Sequence, residues 1–228
     1  MTGKIAIAAR AVARPDTQII AANSQNGPAS IQGYLDVAEC IPGLIAEIKQ
    51  HPEVDGIVIA CFDDTGLDAV RCLVDVPVIG IGEAAYHAAS MIAVRFSVIT
   101  TLSRSVSGLE TNLTRYGLAS RCVKVRATDI PVLQLERGDT ATIDKIRQEI
   151  ELAINEDKAE AIVLGCAGMT DLMDQLTKEF GVPVVDGVAC AVSMAEALVA
   201  AGLKTSKSGT YASPELVLSD EQNSSLAI

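Results

Sequence analysis

The sequence predicts an α/β protein made of two pseudo-symmetric lobes with mainly parallel sheets, and a ligand site in the cleft between them. Three observations lead there. Short apolar runs alternate along the chain with amphipathic or Ala-rich stretches of helical length, the pattern of parallel strands joined by helices. One run, Ala161-Ile162-Val163-Leu164-Gly165, ends in Cys166, and small and polar residues then open a helical pattern. That places Cys166 at a strand's carboxyl end beside a helix amino terminus, where open α/β sheets hold their ligands. The same plan occurs earlier, in Gly56-Ile57-Val58-Ile59-Ala60-Cys61. Each cysteine is followed by an amphipathic run, a Val-Pro-Val strand (Val76 to Gly80; Val182 to Asp186) and an Ala-rich helix. Cys166 follows Cys61 by 105 residues, and Pro183 follows Pro77 by 106. Two copies are too few for a solenoid. They read as two lobes, residues 1–95 with about 192–228 and residues 96–191, each offering one cysteine to a shared cleft.

In chain order, an Ala-rich helix runs to about Val12, and Thr17 to Asn23 reads as a strand. Ser24 to Gly33 is a polar loop with two glycines and a proline. A helix from Tyr34 to about Gln50 leads into the first cysteine unit, whose last helix spans Glu83 to about Val94. The second half opens with a strand over Arg95 to Thr101. A helix from Ser103, with Ser as cap, runs to Tyr116 and stops at Gly117. A strand follows over Cys122 to Ala127, then a loop holding Ile130 to Leu133. Asp139 or Thr140 caps a helix to about Asn155. After the second cysteine unit, a helix over Ala191 to Ala201 leads to a polar tail, Lys204 to Ile228, that wraps the surface. The repeat has a gap. The strand ending at Thr100 precedes Cys166 by about 65 residues, and the same span counted back from Cys61 falls before Met1. The first half is therefore expected to lack its opening strand, with Met1 inside its first helix, as in a truncated or mis-started chain.

Composition narrows the function. The 228 residues are 49% hydrophobic, enough for a sizeable core. Aromatics make up 3% with no Trp, and the net charge is −11, which argue against nucleic acid and anionic membranes as partners. No apolar run reaches the roughly 18 residues of a membrane span. The expected setting is the cytoplasm, with the six cysteines as free thiols, and the expected assembly a homo-oligomer. No Cys-x-x-Cys occurs, and His51 and His87 complete no zinc pattern.

The paired cysteines carry the chemistry. A lone cysteine at a strand end is usually a small buried hydrophobe, but two at equivalent places in a repeat invite a joint role. A helix amino terminus lowers a thiol pKa. One thiolate can then remove a proton from a carbon acid while the other thiol donates one to the opposite face, inverting the centre without a cofactor. Backbone N–H groups at the two helix starts can hold enolate oxygens. Asp63 and Asp64 read first as capping and dipole-matching residues and second as acid–base carboxylates. Gly80-Ile81-Gly82-Glu83-Ala84-Ala85 fits the G-x-G-x-x-A dinucleotide pattern, but the next strand ends in Thr100-Thr101-Leu102 without the acid a ribose needs, so close strand–helix packing is the preferred reading. The hydroxyls of Thr100 and Thr101 read equally as groups facing the cleft and as an ordinary β-branched strand end.

Val58 to Leu67, Phe96 to Leu102 and Ile162 to Met169, with Pro77 to Ala85 and Val184 to Val188, together resemble the hydantoin racemases of the aspartate/glutamate racemase superfamily. The resemblance implies a cofactor-independent, two-cysteine racemase of 5-monosubstituted hydantoins, with no metal and a small-molecule substrate. Its catalytic cysteines fall on Cys61 and Cys166. Its substrate contacts fall at Ile31, Phe62, Asp63, Thr100, Thr101, Gly165 and Ala167, many of them through backbone. Amino-acid racemases of the superfamily carry Asn or Thr after their cysteines; Phe62 and Ala167 stand there, which favours a neutral ring. Allantoin, itself a hydantoin, is the alternative substrate, and a non-catalytic small-molecule binder the alternative of another class. Family members begin with a strand ending in an Asn-Pro-Asn-Thr-like turn that this sequence does not contain, in keeping with the gap in the repeat.

Overall fold

Strands whose residues are apolar at consecutive positions must be covered on both faces, and helices on both faces of parallel sheets do this. The computed structural model describes residues 1–135 and 138–213. Its elements in order are α1 (Thr2–Val12), α2 (Tyr34–Ile48), β1 (Ile57–Ile59), α3 (Leu67–Leu73), β2 (Val78–Gly80), α4 (Ile81–Ile92), β3 (Phe96–Thr100), α5 (Val106–Arg115), β4 (Cys122–Ala127), α6 (Val132–Leu135), α7 (Thr140–Asn155), β5 (Ala161–Gly165), α8 (Met173–Phe180), β6 (Val184–Asp186) and α9 (Gly187–Ala200). Short 3-10 turns cover Ser103–Ser105, Ala167–Leu172 and Gly209–Tyr211.

All ladders among the described residues are parallel. One sheet holds β1 and β2; the other has the order β4-β3-β5-β6. β1 and β5 therefore occupy the same place beside β2 and β6, as the repeat requires. α4 and α9 pack against strands of both sheets and against each other. Their small residues Ala84, Ala85, Ala89, Ala191 and Ala195 allow the close approach. Around them lies one core that takes Ile79 and Ile81 from the first half and Phe96, Val98, Val163 and Val185 from the second. Two smaller cores cover the outer faces: Ile48, Ile59, Leu67, Val70 and Val78 on the two-stranded sheet, and Ile99, Ile146, Ile150, Ile162 and Leu164 on the four-stranded one. Residues 204–211 lie along the first half: Thr205 N–H donates to Asp75 O at 2.7 Å and Tyr211 OH to Asp68 at 2.9 Å. The tail from residue 214 onward lies outside the described residues.

The α/β class and parallel sheets stand as read, with four local differences. Thr17 to Asn23 form no strand, and among the described residues β1 pairs with β2 alone. Ser103 does not cap a helix. It opens a 3-10 turn, its N–H and hydroxyl both donating to Asp129 at 2.9 and 2.8 Å. The loop after Ile130 contains the single helical turn α6. α4 and α9 begin earlier than Glu83 and Ala191, at Ile81 and Gly187, directly after their strands. Asp139 caps α7 as read, accepting from Thr142 N–H at 2.8 Å. Among the described residues no helix is long and apolar enough to cross a membrane.

Candidate active site

The carboxyl ends of β1, β3 and β5 open on one cavity of about 660 Å³. Cys61, Phe62 and Asp63 reach it from the turn after β1, Thr100 and Thr101 from the end of β3, Gly165, Cys166 and Ala167 from the end of β5, and Ile31 from the loop before α2. All nine residues singled out from the sequence thus line the same space. Ile31 is placed by its neighbour: Gln32 N–H donates to Asp36 at 2.9 Å and its side-chain oxygen accepts from Val132 N–H at 3.3 Å. That second bond ties the loop before α2 to the second half of the chain.

The two cysteines have matching surroundings. Each opens a tight turn, with Asp64 N–H donating to Cys61 O at 2.9 Å and Met169 N–H to Cys166 O at 3.0 Å. In each case the N–H two residues on faces the sulfur: Asp63 N–H at Cys61 and Gly168 N–H, at 3.4 Å, at Cys166. The Cys61 thiol also meets the Thr65 hydroxyl at 3.4 Å. These contacts favour a thiolate, but burial outweighs them. Burial, then the charge of Asp63, pushes the Cys61 thiol up to about 12. Burial pushes Cys166 up to about 11, against Gly168 N–H and the Lys4 cation. The sequence-based expectation of lowered thiols therefore gives way to two neutral thiols.

Gly165 is required by the site. A Cβ there would lie 2.9 Å from Ile99 O and 3.0 Å from the Thr100 Cβ. The space lets Thr100 donate its hydroxyl to Gly165 O at 3.2 Å, so this hydroxyl is engaged within the sheet end. The Asp63 side chain makes no hydrogen bond among the described residues, and burial raises its pKa to about 6.

Asp64 has another role. It accepts from Gly82 N–H at 2.9 Å, Glu83 N–H at 2.7 Å and Tyr116 OH at 2.7 Å. It therefore caps α4, not the helix after it, and joins the Cys61 turn to the second half. The glycines of Gly80-x-Gly82 make room for this carboxylate, since a Cβ on Gly80 would lie 2.1 Å from Asp64 Oδ1. The α4 amides that a pyrophosphate would need are taken. No group of three His, Cys, Asp or Glu among the described residues is placed to hold a metal ion. Sequence reading missed Lys4, Asn112 and Tyr116, whose contacts with the cysteine turns span 164, 49 and 52 residues.

Comparison with known proteins adds to this geometry. Residues 1–195 match the family model described as Asp/Glu/Hydantoin racemase. The chain is 50% identical over 217 residues to a hydantoin racemase of Pseudomonas sp. (strain NS671), covering 94% of this chain and 87% of the relative. It is 51% identical over 218 residues to a hydantoin racemase of Rhizobium meliloti, covering 95% and 90%. Among solved structures, an allantoin racemase from Klebsiella pneumoniae superposes with a TM-score of 0.91 at 48% identity, covering 94% of this chain and 88% of that one.

Proposed function

The chain belongs to the Asp/Glu/hydantoin racemase family and is an isomerase; on that premise we propose that it racemises 5-monosubstituted hydantoins with Cys61 and Cys166 as its two acid–base groups. The observation that supports this is the placing of two repeat-equivalent cysteines on one cavity. The C5 hydrogen of a hydantoin lies beside a carbonyl and a ring nitrogen, so its removal leaves a delocalised enolate. One thiolate takes that proton from one face, and the opposed thiol gives a proton to the other. Asp63 N–H and Gly168 N–H, which face the sulfurs, favour whichever cysteine is ionised. Beyond burial and the charge of Asp63, which raise both thiols, Asp64 opposes ionisation of Cys61 and Lys4 favours that of Cys166. The uncharged ring suits a pocket whose unpaired charged group, Asp63, would repel a free carboxylate. Ile31, Phe62, Thr100, Thr101, Gly165 and Ala167 complete the ring's surroundings in this reading. No cofactor enters a step.

Allantoin is the second reading, favoured by the similarity to an allantoin racemase structure at nearly the same identity as to the hydantoin racemases. The division into lobes at residues 95/96 and 191/192 belongs to the proposal, supported by the two sheets and by α9 packing back on the first. So do a cytoplasmic location, supported by six free thiols, and a homo-oligomer, supported by the exposed Met91, Ile92 and Val94.

The test follows optical rotation of D- and L-5-benzylhydantoin, and of each allantoin enantiomer, in D₂O with reductant and no added cofactor. Rotation should decay with deuterium entering C5, and relative rates choose the substrate. Replacing either cysteine by Ser should lower racemisation by about 10²–10⁴-fold while C5 exchange survives for one hand only, a different hand in each variant. Racemisation persisting in both variants would remove the two-cysteine mechanism.

A further inference from the structure

The α5 span shifted back by the 105 residues of the repeat falls on α1 to within two residues at each end. These two helices are therefore equivalent, yet each reaches into the other half. Lys4 of α1 donates from Nζ to Gly168 O at 2.7 Å and pairs with Asp171 at 2.6 Å. Asn112 of α5 donates from Nδ2 to Asp63 O at 2.9 Å, and Tyr116, at the end of α5, donates to Asp64 at 2.7 Å. Gly168 and Asp63 are the residues two after Cys166 and Cys61. Their N–H groups are the ones that face the two sulfurs. Each carbonyl gripped from across the molecule thus belongs to the residue that presents its N–H to a thiol.

We infer that α1 and α5 are reciprocal positioning helices, Lys4 fixing the turn after Cys166 and Asn112 with Tyr116 fixing the turn after Cys61. An amide two residues from the sulfur stabilises a thiolate only while it points at it, and a turn joined to its own strand alone could rotate away. The grips also differ in charge. Lys4 brings a cation toward Cys166, offset in part by Asp171 and faced by Asp63. Asn112 and Tyr116 are neutral, and Cys61 faces Asp63 and Asp64 with Glu83 behind them. The inference rests on the two-cysteine reading for its catalytic consequence, but the thiol chemistry can be measured without it.

The experiment alkylates the full chain with iodoacetamide across pH and reads Cys61 and Cys166 separately by peptide mass mapping. In Lys4→Met, the Cys166 rate at a fixed mildly alkaline pH should fall at least threefold with Cys61 unchanged, and Lys4→Arg should restore it. In Tyr116→Phe combined with Asn112→Ala, Cys61 should slow by a similar factor with Cys166 unchanged, Tyr116→Phe alone giving a smaller effect. C5 deuterium exchange follows in parallel. Lys4→Met should lower kcat, with KM little changed, for the hand that Cys61→Ser still exchanges, and the α5 variants for the other hand. Equal change at both thiols, or none at either, would overturn the reciprocal grip. Racemisation surviving in both Cys→Ser variants would instead defeat the two-cysteine reading and leave the grip to be judged by the alkylation rates.

Discussion

Asp63 is a carboxylate set where it opposes the chemistry of both thiols. Its charge raises Cys61 and Cys166 alike, and burial raises its own pKa to about 6. The unfolded value is near 3.9, so the folded chain holds this proton more tightly. The resulting stability is fully present below about pH 4 and is lost as pH rises through about 6. Asp63→Asn should remove that decline. Plotted against pH, the Tm of the variant should fall less steeply than the parent's between pH 4 and 6, the buried Asp64, raised to about 7, accounting for the slope that remains. Parallel curves would show that Asp63 is more solvated than its surroundings indicate. The same substitution should speed alkylation of both Cys61 and Cys166 at pH 8. That both cysteines line one cavity was legible in the sequence, because the repeat doubled a weak local signal. That Asp64 caps a helix was legible, but which helix was not, since its three donors come from Gly82, Glu83 and Tyr116, none of them its neighbours in sequence.

At the scale of elements, the junction of β2 and α4 is built around that carboxylate. Gly80→Ala puts a methyl 2.1 Å from Asp64 Oδ1, and Asp64 is already fixed by three hydrogen bonds. Overpacking of this kind costs about 1–3 kcal/mol, to be read as a lower urea midpoint with the m-value unchanged. Gly108→Ala, where an added Cβ meets nothing within 4 Å, should be neutral or stabilising because it lies inside α5. Helices and long strands such as β3 and β5 were legible from composition and period. Thr17 to Asn23 were not, because their β-like pattern becomes a strand only beside another strand, a condition no local window contains. The early starts of α4 and α9 rest on caps, Asp64 accepting from Gly82 N–H and Asp186 from Ala189 N–H.

At the scale of the molecule, the two sheets share their largest core. Tyr86 stacks with Phe96 at 6.2 Å and meets Phe62 edge-on at 5.3 Å, so the aromatic centre itself draws on both halves. A chain so joined should unfold in one transition although it is built from a repeat. Calorimetry should give equal calorimetric and van't Hoff enthalpies; two resolved heat peaks would show that each half holds its own structure. The grips of Lys4 on Gly168 and of Asn112 on Asp63 carry this joining into the cavity. They have a consequence for recombination. Halves exchanged between related racemases at residue 95 would separate each cysteine turn from the helix matched to it, even though every strand and its own helix travelled together. The modules to exchange are interleaved: residues 1–12 with 166–171, and residues 106–116 with 61–64. Chimaeras cut along that discontinuous pattern should keep activity where contiguous ones lose it.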